Sequence, residues 1–92
     1  MIDVNDIKER KKLRLEILEQ LYNLYFNSST QNQSLTGNKE ELFGVRNSEK
    51  HLAYHYLVTG GFIEIDSTDA HSAVTITVKG IDYIETIYEE KN

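Results

Sequence analysis

Two adjacent glycines, Gly60 and Gly61, stand where the apolar period of the chain changes, and that change constrains the fold more than any other feature. Before them apolar residues recur at helical spacing, whereas the residues directly after them, Phe62-Ile63-Glu64-Ile65-Asp66, are β-prone. A second β-prone run, Ala73-Val74-Thr75-Ile76-Thr77, follows after Ser67 to Ser72, a stretch of turn composition. The two runs predict a β-hairpin. From about Val78 to Glu90 the helical period returns, with Ile81, Ile84, Ile87 and Tyr88 along one flank and Thr77 available as N-cap.

On the other side of the glycines the longest periodic segment runs from about Asp6 to Asn27. Leu13, Ile17, Leu21 and Leu24 form a stripe that Leu18, Tyr25 and Phe26 widen, which predicts a helix packed on a core. Asp6 and Glu9 stand in the capping-box relation, so residues 1–6 are expected to lie outside ordered structure. The polar stretch Asn27 to Ser34 reads as a loop, and a short extended piece around Gln33 to Leu35 is a candidate strand. Asn38 suits the N-cap of a short helix over residues 39–43, which Gly44 ends. Asn47 or Ser48 can cap the next helix, which the glycines close. Leu52, Ala53, Tyr56 and Leu57 fall on its apolar side, Glu49, Lys50, His51 and His55 on the other, and Tyr54 between them.

Ninety-two residues suit one domain with a single core. The chain has no cysteine, which excludes a disulfide framework and a thiolate zinc site. No signal-peptide pattern opens it and no run approaches the roughly 20 apolar residues of a membrane span, so the cytoplasm is the expected location and no membrane contact is expected. The formal charge of −5 speaks against indiscriminate nucleic-acid binding. Its distribution is uneven. Lys8, Arg10, Lys11, Lys12 and Arg14 lie within seven residues, and the remainder of the chain after residue 14 carries five basic against twelve acidic residues. The basic start of the first helix is expected to protrude, since cations there oppose the helix dipole and point in nearly all directions.

Two passages carry a family resemblance. Ala53-Tyr54-His55-Tyr56-Leu57-Val58-Thr59-Gly60-Gly61-Phe62-Ile63-Glu64 resembles the end of a recognition helix turning into a first wing strand, and Val74-Thr75-Ile76-Thr77-Val78-Lys79-Gly80-Ile81-Asp82-Tyr83-Ile84 resembles an "ITxxGxxYL" passage from wing to final helix. With the element order, they make residues 13–90 similar to the winged helix-turn-helix superfamily, whose MarR-like, PadR-like and YjcQ-like members share such motifs. The resemblance implies an α+β fold: a three-helix core, a β-hairpin wing and a C-terminal helix. It implies a DNA-binding transcriptional regulator that is not an enzyme, with residues 48–59 presented to the major groove of duplex DNA. Arg46, Asn47, Ser48, Lys50, His51, Tyr54 and His55 are then the base and phosphate candidates; the basic cluster with Lys8, Lys11 and Lys12 suits a phosphate-contacting arm, a dimer-partner surface or a solvated helix start. A homodimer through the first and last helices is expected to double the footprint.

The wing departs from the family pattern. Glu64, Asp66 and Asp69 make it anionic, and no basic residue occurs from Gly60 through Val78, so carboxylates near phosphates would offset lysine contacts. The alternative is an adaptor that engages another protein through its acidic surface. His51, His55 and His71 have the types and partly the spacing of a metal site, but exposed histidines on a recognition helix account for them and no metal or other cofactor is assigned. Ser48, His51 and Asp66 lack any nucleophile-elbow context. The tyrosines Tyr22, Tyr25, Tyr56, Tyr83 and Tyr88 are expected mainly in the core, with some in a dimer contact.

Overall fold

In a computed structural model, which describes residues 1–27, 33–68 and 71–91, the chain is an α+β structure of four helices and a three-stranded antiparallel sheet. Helix α1 spans Val4–Asn27. Its start corrects the expected one. Asp3 caps it in place of Asp6, with Oδ1 accepting from the Asn5 amide at 2.8 Å and its carbonyl from the Ile7 amide at 3.2 Å. Residues 4–6 are therefore helical and only the first three residues precede the helix. Of the expected stripe, Ile17 and Leu21 are buried together with Leu18, while Leu13 and Leu24 are partly buried and Phe26 is exposed.

Strand β1, Leu35–Gly37, lies two residues beyond the expected piece. Its register is set by pairing with β3, Leu35 opposite Val74 and Gly37 opposite Ser72, and the Ser34 and Thr75 hydroxyls meet at 2.9 Å. Helix α2, Lys39–Phe43, is bounded as its residues predict: the Asn38 side chain accepts from the Glu41 amide at 2.9 Å, and Gly44 ends it at φ 75°, donating to the Glu40 carbonyl. Helix α3, Glu49–Thr59, is capped by Ser48. It closes in a Schellman turn, in which Phe62 donates to Leu57 at 2.9 Å and Gly61 to Val58 at 3.1 Å, with Gly61 at φ 82°.

The hairpin consists of β2, Ile63–Ser67, and β3, Ser72–Ile76, with Ile63 opposite Ile76 and Ile65 opposite Val74. The strand order is β1-β3-β2, which makes β3 central, and along it Ser72, Val74 and Ile76 alternate inward. Buried Ser72 is satisfied by the Ser67 hydroxyl at 3.0 Å. The expected loop centre at 28–32 and the turn residues Asp69 and Ala70 lie outside the described residues.

Helix α4, Val78–Lys91, begins as expected at Thr77, whose hydroxyl accepts from the Gly80 amide at 3.1 Å and also donates to the Gly61 carbonyl at 2.6 Å. The last helix is thus tied to the end of α3. Leu18, Leu21, Leu57, Ile63, Val74 and Ile84 bring α1, α3, the hairpin and α4 into one core. Along α1 and α4 the Tyr22 hydroxyl donates to Glu85 at 2.9 Å and that of Tyr88 to Glu19. Those bonds raise both phenol pKa values, and the stabilisation they bring is present at neutral pH and lost as pH rises through the raised values. The tyrosines are less buried than expected. Tyr22 and Tyr25 pack against the core, but Tyr56, Tyr83 and Tyr88 are exposed. Among the described residues no helix is long and apolar enough to cross a membrane.

Candidate nucleic-acid interface

The turn before α3 is short, and its geometry follows from two residue types. Asn47 takes φ 67°, a left-handed conformation that asparagine tolerates better than most residues, and this aims its amide at the next turn. That amide donates to His51 Nδ1 at 3.2 Å, while the Ser48 hydroxyl accepts from the His51 amide at 3.2 Å. His51 is held at both ends. With Nδ1 accepting, the neutral ring carries its proton on Nε2, which makes the free edge of the imidazole a hydrogen-bond donor. Arg46, Asn47 and His55 are exposed, and Ser48 and His51 are half-buried beside them. Arg46 and His51 share a hollow of about 600 Å³ with Phe43, Gly44 and Val45.

Two candidates have other duties. Lys50 is exposed, but its ammonium donates to the Glu41 carbonyl at 3.2 Å, where it caps the C-terminal end of α2. Tyr54 must be withdrawn as a DNA-contacting residue: it is 3% exposed and its ring meets that of Phe43 edge-on at 5.1 Å. Burial pushes its phenol pKa up. The buried arc of α3 is Ala53, Tyr54 and Leu57, whereas Leu52 and Tyr56, expected inside, are 47% and 52% exposed. Both α1 and α2 pack on α3, and the aromatic pair with Phe43 places Tyr54 on the inner side. The Arg14 guanidinium stacks on Tyr56, 4.0 Å from its ring centroid.

The basic arm is helical throughout, and its lysines Lys8, Lys11 and Lys12 are exposed. Sequence reasoning did not foresee how it meets α3. Arg10 donates to both carboxylate oxygens of Glu49, the first residue of α3, at 3.0 to 3.3 Å. Lys12 lines the hollow of about 390 Å³ beside that pair, with Glu9, Leu13 and Glu16. The only signal for the pairing was an acidic residue opening one helix and a cation two turns into another. Hydrogen bonds from Arg10 lower the Glu49 pKa most, partial desolvation opposes them, and the guanidinium charge adds to the lowering. A depressed carboxylate contributes stability above its unfolded pKa and loses it as pH falls through the folded value. An NMR pH titration is therefore expected to find the Glu49 carboxyl ionised below the usual glutamate range, and Arg10→Ala to move its midpoint upward. An unmoved midpoint would refute the pairing.

On the hairpin, Glu64 and Asp66 are exposed on β2, and Asp69 lies outside the described residues. Among the described residues no group of three metal-ligating side chains converges, so His51, His55 and His71 do not share a site. The chain matches no family model, no curated protein and no solved structure.

Proposed function

We propose that the chain is a winged helix-turn-helix protein that binds duplex DNA with the first turns of α3 and acts as a transcriptional regulator without catalysing a reaction. The fold half of this reading is supported by the element order and by the sheet order β1-β3-β2, in which the hairpin follows α3 as a wing follows a recognition helix. The observation that carries the DNA half is the Arg10–Glu49 bridge. It neutralises the acidic residue at the start of α3 and leaves Lys12 in the hollow beside Glu49. Arg46 and Lys12 then meet phosphates on either side, while Asn47, Ser48, His51 and His55 face base edges. Glu64 and Asp66 keep the wing off the backbone.

A second reading rests on the exposed Leu52, Tyr56 and Val58 of α3, apolar side chains that suit a protein partner better than a groove of phosphates. An NMR titration with mixed-sequence duplex at low and moderate salt separates the two. The DNA reading expects amide shifts confined to residues 46–55 and the Lys12 turn, fading as salt rises, and expects Arg46→Ala to reduce the slope of log affinity against log salt by about 1. Absence of shifts at low salt would sink it in favour of the adaptor.

A further inference from the structure

The first turns of α1 bury no side chain and are tied to the body through the Arg10–Glu49 bridge. Residues 1–12 are all exposed, so the segment 4–12 extends about 13 Å along the helix axis with no buried side chain, and isolated helices of that length are marginal in water. It also exposes apolar surface: Val4 is 64% exposed, and Ile2 and Ile7 are open as well.

On one face of α1, Val4, Lys8, Lys11, Leu15, Glu19 and Tyr22 recur at spacings of three and four residues, and Phe26 continues the row. The row is self-complementary about Leu15. Cations stand toward the N-terminal end, a carboxylate and an aromatic stand at matching distances toward the C-terminal end, and an exposed apolar residue closes each end. The C-terminal half is widened by α4 into a groove of about 500 Å³ with Tyr22, Ile84 and Tyr88 in it and Glu19, Glu85 and Glu89 around it. None of its lining residues is a cation, and the Lys91 ammonium lies 5.5 Å from the Tyr88 ring centroid. The Tyr22 and Tyr88 hydroxyls orient the Glu85 and Glu19 carboxylates there.

We propose that α1 pairs antiparallel with α1 of a second copy, with the two-fold axis at Leu15 and each basic arm lying along the acidic α1–α4 groove of the other. In this arrangement Lys11 faces Glu19 of the second copy, Lys8 faces Tyr22 and Glu85, and Val4 meets Phe26. Each contact forms twice and the assembly closes at two copies. A parallel pair would set lysine on lysine and glutamate on glutamate. Lys12, on the neighbouring face beside Glu49, stays available to phosphate, so this pairing stands or falls independently of DNA binding.

Two measurements on the full chain test the pairing. Light scattering after size exclusion is expected to give a dimer mass, which Lys11→Glu and Glu19→Lys each weaken by at least about tenfold in Kd and which the two changes together restore. Glu19→Lys removes the acceptor of Tyr88, so circular dichroism checks that it folds; Lys11, exposed and bonded to nothing in its own chain among the described residues, tests the contact without that complication. Because the native chain has no cysteine, oxidised Leu15→Cys is expected to give a covalent dimer, and Val4→Cys to cross-link with Phe26→Cys but not with itself. A monomer at millimolar concentration, a dimer that Leu15→Cys fails to cross-link, or a reversed charge pair that restores nothing would each overturn the proposal.

Discussion

Gly80→Ala is expected to destabilise the fold by about 3 kcal/mol, although the same change in an exposed helix raises stability by about 1 kcal/mol. Gly80 lies in the first turn of α4 and is buried. A Cβ there would stand 2.3 Å from the Phe62 carbonyl oxygen and 2.7 Å from Ile76 Cγ1. Side-chain motion cannot relieve the first contact. The Phe62 carbonyl accepts from the Thr77 amide and the Phe62 amide donates to Leu57, so shifting the Phe62 backbone disrupts the α3 closing turn, the α4 start, or both. Denaturant midpoints would read the loss, with amide shifts concentrated at residues 57–62 and 76–81. An unchanged or raised midpoint would mean that α4 does not approach the turn this closely. Gly80 is required for close approach, unlike Gly44 and Gly61, which sit at positive φ.

Leu21→Ala is expected to cost about 3 to 4 kcal/mol. Its side chain is fully buried where α1 meets α3, the sheet and α4, and the surrounding Leu18, Leu57 and Val74 are themselves at most 1% exposed, so little can relax into the space. For a domain of this size that is a large share of a total near the low end of the usual 5–15 kcal/mol range. The informative comparison is Leu52→Ala. The apolar pattern alone places Leu52 inside, which would make its truncation cost about 2 kcal/mol or more. At 47% exposure its expected cost is under about 0.5 kcal/mol. Equal losses at the two positions would show that α3 is rotated from the orientation described.

The misplacements have a common origin. Val4 to Asp6 join α1 because Asp3 offers an equally good cap, and local chemistry does not rank two aspartates three residues apart. β1 shifts to Leu35–Gly37 because its register belongs to β3, forty residues away. Tyr54 passes from candidate contact to core because its helix carries apolar residues around most of its circumference, and only the positions of Phe43 and α1 decide which arc is covered. The same holds for the candidate site: Arg46, Asn47, Ser48, His51 and His55 gather at the start of α3 as their sequence positions require, whereas Lys50 turns to an α2 carbonyl and Arg10 to Glu49.

What the sequence determined by itself was everything carried by neighbours along the chain: four helices, a hairpin, the caps at Asn38 and Thr77, the glycine turns, and a basic arm on an acidic body. These depend on backbone geometry and hydrogen bonds within a few residues, where side-chain type has direct physical consequences. Tertiary structure alone decided which side of α3 faces water, what holds the arm against it, and why Gly80 has no side chain. Those outcomes depend on residues brought together from distant parts of the chain, and packing in a dense core selects one arrangement from several that the local pattern permits equally.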